Sequence, residues 1–227
     1  MAHYLMRMRE FRDARRRDPE LARRRRRLTR WQSARLARTH ADLLRHPRSR
    51  GAVEFFLDHL YAPRDFARRD QDLERIAPIL TRILPASAIG TIAMALEMNV
   101  VTEEVDAALL RALAEQRGAE LTEERYLEAC RRCDDRPRRL RQIELIWEVG
   151  MTLDKVVRLP GAYAALRIAG GPARLAGLGE LQKLLENGFS TFREIGGARD
   201  FLATIVEREK RILRRIYEGH PRPFEDL

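Results

Sequence analysis

Punctuation constrains the fold of this chain more than its composition does. Prolines and capping residues divide it into segments of helix length, and inside them apolar residues recur every three or four positions. No run of alternating β-branched residues occurs, and no Asn-Gly or Asp-Gly step stands between two alternating runs as a hairpin turn would. The spacing predicts an all-α fold, a single multi-helix domain of nine or ten helices. The connections are short, so sequential helices are expected to pack mostly as antiparallel neighbours. With 227 residues, 44% of them hydrophobic, the chain can bury a real core.

Tyr4, Met8 and Phe11 share one side of a first short helix. Asp18-Pro19 reads as an N-cap and first helical residue, opening a long helix to about Arg45 that Pro47 ends. The next helix spans about 51–61, and another begins after Asp65 with a kink or break at Pro78. Residues 83–101 have the length of a membrane span, but Pro85, Ser87, Gly90, Thr91, Glu97 and Asn99 dilute them, and a central buried helix is the better reading. Thr102 and Thr122 each precede acidic residues and are expected to cap helices. Asp134 or Asp135 caps a further helix with Pro137 in its first turn. A looser glycine-rich section follows at 160–180, of which 170–180 reads as two tight turns around a short helix, and two helices near 178–195 and 198–217 close the chain.

Charge is unevenly spread. Residues 1–50 hold 17 Arg and 5 acids, a net of +12, whereas the other 177 residues carry −2. Residues 1–18 therefore read as a basic helical segment, an electrostatic appendage on an all-α globule spanning 19–227. Arg23, Arg24, Arg25, Arg26 and Arg27, with Arg16, Arg17 and Arg30, are the candidate anion-binding residues. Consecutive helical positions point all around the axis, so the run of five cannot by itself make one stripe. Only three of the 44 basic residues are lysines, a skew that genome composition alone can produce.

Catalytic signatures are missing. There is no GxGxxG after a strand, no GxxxxGK[ST] and no GxSxG, and no histidine lies in an ExxH or HExxH pattern. Cys130 and Cys133 form one CxxC without the second ligand pair that structural zinc requires, and they read as a half-buried pair on a helix. No cofactor and no metal is expected. His40 or His59 as an axial ligand in a haem-like or lipid-like pocket is the outlying alternative.

The stretch FFLDHLYAPRDFARRD, residues 55–70, reads as a helix corner rather than a site. Phe55 and Phe56 supply an apolar face, with Tyr61 beside it. Pro63 forces the chain out of helix, and Asp65 caps the next one. Phe66 packs back, and Arg69 and Asp70 join a set of ion pairs. The pattern THADLLRHPR…AVEFFLDHLYAPRDFARRDQDLERIAPIL, with the later LENGFSTFREIGGARDFLATIVERE, resembles a family of uncharacterised bacterial all-helical proteins. That resemblance spans most of residues 28–217 and implies no established activity.

The sequence thus points to a non-catalytic helical interaction or scaffold protein, with a protein partner or self-association. The alternative is polyanion or nucleic-acid binding through the N-terminal arginines. The N-terminus lacks the apolar core of a signal peptide, so a cytoplasmic location is expected.

Overall fold

Local rules set the first corner. The Asp18 carboxylate accepts the backbone N–H of Leu21 at 3.0 Å and Pro19 fills the first helical position, so α1 (Ala2–Arg17) turns directly into α2 (Pro19–Thr39). The computed structural model describes residues 1–59, 67–83, 86–115 and 120–226. Among them the chain continues as α3 (Ala41–Arg45), α4 (Pro47–His59), α5 (Ala67–Ile83), α6 (Ala86–Glu115), α7 (Glu123–Cys133), α8 (Arg136–Val157), α9 (Ala162–Leu175), α10 (Gly179–Ile195) and α11 (Arg199–Tyr217). The described residues contain no strand, and the fold is all-α. Ten of the eleven helices are of ordinary length, and α3 is a five-residue piece.

Among the described residues three clusters make the core. Leu28 of α2, Leu109 of α6, Tyr126 and Cys130 of α7 and Ile212 of α11 form one. Val53 of α4, Phe192 of α10 and Leu202 of α11 lie in the second, with Phe56 packed on its edge. Met8 of α1 meets Leu96 and Val100 of α6 in the third. The most extensive packing joins helices far apart in sequence, α6 with α8, α8 with α11 and α4 with α10. At Gly150 an added Cβ would lie 2.6 Å from a methyl carbon of Leu202, so α8 and α11 approach as closely as they do because that position has no side chain. No helix among the described residues is long and apolar enough to cross a membrane.

Several boundaries differ from the sequence reading. The long helix stops at Thr39, because the His40 ring turns inward to Glu209 and the Thr39 carbonyl accepts Arg208 at 2.8 Å. Pro47 starts α4 rather than merely ending its predecessor, since a first-turn residue needs no amide hydrogen. Pro78 does not end α5. It sits on the exposed side, where water can replace the lost bond to the Glu74 carbonyl. Thr102 is no cap. α6 runs straight through it, and its hydroxyl donates to the Met98 carbonyl at 2.8 Å while accepting from Gln142. Thr122 does cap α7, while Asp135, followed by Pro137, stands at the N-cap position of α8 with its carboxylate taking Arg138 at 3.1 Å rather than a helix amide. The glycine-rich stretch holds a helix of 14 residues, with Gly170 letting Gln182 and Glu186 of α10 lie close. Finally, α1 is not an appendage: it packs on α5 and α6, and Arg12 is buried against Glu74.

Candidate polyanion-binding face

The arginines of α2 divide by helical geometry. Arg24 turns inward and donates to the Leu110 carbonyl at 2.5 Å. Arg25 also turns inward, to Asp106 at 2.9 Å and Glu103 at 3.6 Å. Arg23, Arg26, Arg27 and Arg30 are exposed, and their spacing of three, four and seven residues puts them on one face. Arg38 is exposed two turns further on. At about 1.5 Å per residue the stripe from Arg23 to Arg38 is roughly 22 Å long. Glu20 pairs with Arg23 at one end. Arg26, Arg30 and Arg38 have no carboxylate partner among the described residues. Arg16 and Arg17 are exposed at the end of α1 next to the corner.

A groove of about 340 Å3 runs beside the stripe, between α2 and the α6–α7 region. Arg24, Arg27 and Arg125 line it together with Glu20 and Glu120.

Much of the remaining N-terminal charge is neutralised from a distance. Arg7 pairs with Glu104 at 3.1 Å, Arg12 with Glu74 through two bonds of 2.7 and 3.2 Å, and Arg15 with Glu103 at 2.7 Å. Arg35 meets both oxygens of Glu209, at 2.6 and 2.8 Å. The acids after Thr102, read as dipole partners of a helix start, are therefore counter-ions for α1 and α2. The clustering of Glu103, Glu104 and Asp106 was the available signal. Glu209, one of three acids spread along α11, offered none.

The Glu209 network is a second buried charge group. Burial works against its carboxylate, but Arg35 and the His40 hydrogen bond at 3.1 Å hold it at about 2. The other His40 nitrogen lies 3.4 Å from Arg208, which clasps Asp42 at 2.8 and 3.0 Å. Both ring nitrogens of this sequence-predicted haem ligand thus face protein groups. The side chain of His59 lies outside the described residues.

The aromatic corner is described only in part. Phe56 lies 6.4 Å from Phe192 and 6.3 Å from Phe201, and Phe55 leans on Gly188 of α10. Asp70 is half-buried at the start of α5. Tyr61, Pro63, Asp65 and Phe66, and the side chain of Arg69, lie outside the described residues.

Cys130 is wholly buried beside Tyr126 and Cys133 is half-buried. Burial pushes both thiols up. Among the described residues no group of three or more His, Cys, Asp or Glu is placed to hold a metal.

Residues 11–223 match a family described as a domain of unknown function, DUF8198. The chain belongs to the DUF8198 family. The match takes in the whole of α2 to α11, and so the arginine stripe, the Glu209 network and the aromatic corner, while the first ten residues of the chain lie before it. No curated protein and no solved structure matches the chain.

Proposed function

We propose that this DUF8198 protein is a non-catalytic helical binding protein that engages polyanions, nucleic acid foremost, through the outward arginine face of α2. The observation that carries this reading is the segregation of the run: Arg24 and Arg25 are spent internally, while Arg23, Arg26, Arg27 and Arg30 share a solvent-facing side, with Arg38 beyond them. Long cations without aromatic platforms hold phosphates rather than bases, so little sequence preference is expected. The cytoplasm, where nucleic acids are met, is the location that goes with this reading.

The test is fluorescence anisotropy with labelled single-stranded oligonucleotides. If four arginines meet phosphates, affinity falls roughly fifty-fold between 50 and 200 mM salt. Replacing Arg26, Arg30 and Arg38 by Gln should remove most of the binding and most of the salt dependence, with the melting curve unchanged. Binding no tighter than millimolar at low salt would refute it.

A second reading, an interaction or scaffold protein, is favoured by α9. Ile168 is 78% and Leu175 92% exposed, and seven residues apart they share a face. Self-association through that face would appear in light scattering and vanish in Ile168→Asp.

A further inference from the structure

Between α2, α4, α7, α8 and α11 lies a cavity of about 90 Å3, and Arg139 of α8 lines it. Arg139 is half-buried as a residue, but its Nε and Nη2 are shielded from solvent, and neither has a hydrogen-bond partner among the described residues. These two nitrogens form one edge of the guanidinium, the edge that meets a carboxylate side-on through two parallel hydrogen bonds.

Four other inward-turned guanidinium groups among the described residues each meet a carboxylate. Arg12 has Glu74, Arg25 has Asp106, Arg35 has Glu209 and Arg208 has Asp42. Arg139 has none among the described residues. Tyr126 and Cys130 act on its charge, but burial pushes both up, Tyr126 to about 12, so both are neutral at physiological pH, and Asp106, whose charge also reaches it, is held by Arg25 and Gln32. A buried cation without a counter-ion is costly. Water has room here and could satisfy the N–H groups, but it would leave the charge with only the shared Asp106 to balance it, whereas an anion answers both demands.

We propose that this cavity is a binding site for a small carboxylate of two to four carbons, clasped by the Nε–Nη2 edge of Arg139. The size follows from the volume, which lies below the range of about 300–1,000 Å3 usual for drug-sized ligands and excludes a haem or a long acyl chain from the cavity as formed. The short carbon arm follows from the other walls. Phe56, Leu57, Ile143, Ile146 and Ile205 give the non-polar part of a carboxylate an apolar surface that a fully hydrated oxyanion would not use. The one acidic lining residue, Glu209, is already held by Arg35 and His40. Phe224, packed against Trp31 and under the Arg35 guanidinium, closes one side.

The site is independent of the α2 stripe, so Arg139→Gln should bind oligonucleotides as the wild type does. The experiment is thermal unfolding in carboxylate-free buffer, with sodium acetate, sodium propionate or sodium phosphate added against sodium chloride of equal ionic strength. Acetate or propionate at a hundred times its Kd should raise the wild-type Tm by about 5–10 °C. Arg139→Gln should melt no lower than wild type without added anion and show no response to it. Equal shifts in both proteins, or none in the wild type, would mean that the cavity holds water only and would overturn the site. A larger shift with phosphate than with propionate would overturn the carboxylate assignment. If Arg139→Gln does not fold, methyl NMR of the wild type decides instead. Propionate should move the Ile143, Ile146 and Ile205 methyl signals and leave Ile79 and Ile168 in place, and unmoved cavity methyls would refute the proposal.

Discussion

Glu209→Gln removes one negative charge from a buried ion pair and changes almost nothing else in shape. Arg35, itself buried, would keep its cation without the carboxylate 2.6 Å away, and His40 would lose an anionic partner at 3.1 Å. Breaking one side of a buried pair costs roughly 3–5 kcal/mol, because the other charge remains desolvated. The depressed carboxylate gives an independent figure. A shift from 4.5 to about 2 corresponds to about 3 kcal/mol at 1.36 kcal/mol per unit. Because the folded value is the lower one, this stability is fully present above pH 4.5 and is lost as the pH falls towards 2. Urea unfolding at pH 7, 4.5 and 3 measures both effects. The variant should be about 3 kcal/mol less stable at pH 7, and the gap should narrow in acid. Other carboxylates held low, such as Asp42 at about 2 beside Arg208, act in both proteins and cancel from the difference. A cost under 1 kcal/mol with parallel acid profiles would refute the reasoning, since the pair would then be no better than a solvated one.

Three further outcomes are expected. Gly150→Ala should lose roughly 1–3 kcal/mol in a urea melt, because its Cβ would press within 2.6 Å of the buried Leu202 side chain, while Gly90→Ala, with open space around it in α6, should gain about 0.5–1 kcal/mol. Thr122→Ala should cost about 1 kcal/mol, because the hydroxyl receives the Arg125 amide at the start of α7. Ellman's reagent should label Cys133 in the native protein and reach Cys130 only on unfolding, since Cys130 has no exposed surface and burial keeps its thiol protonated.

The sequence by itself determined the elements and much of their punctuation. Asp18-Pro19 and Thr122 act through atoms a few residues away, and Pro137 through its own ring in the first turn of α8, so their signals are local and were readable. Thr102 misled because it has the residue types of a cap, yet its hydroxyl takes the Met98 carbonyl one turn back and α6 continues. The pairing of charges was decided only by the tertiary structure. The +12 segment appeared to be a detachable surface because its counter-ions, Glu74, Glu103, Glu104, Asp106 and Glu209, stand between 62 and 174 residues further along the chain. The same holds for the candidate sites. The arginine run was visible, but which members face water depends on where α6 lies against α2. Arg139 looked like any other arginine in an arginine-rich chain, and its two shielded, unpartnered nitrogens arise only once five helices have closed around it. Helix propensity and capping are near-neighbour effects written in the order of residues, whereas desolvation and charge pairing depend on distances in space, which that order does not contain.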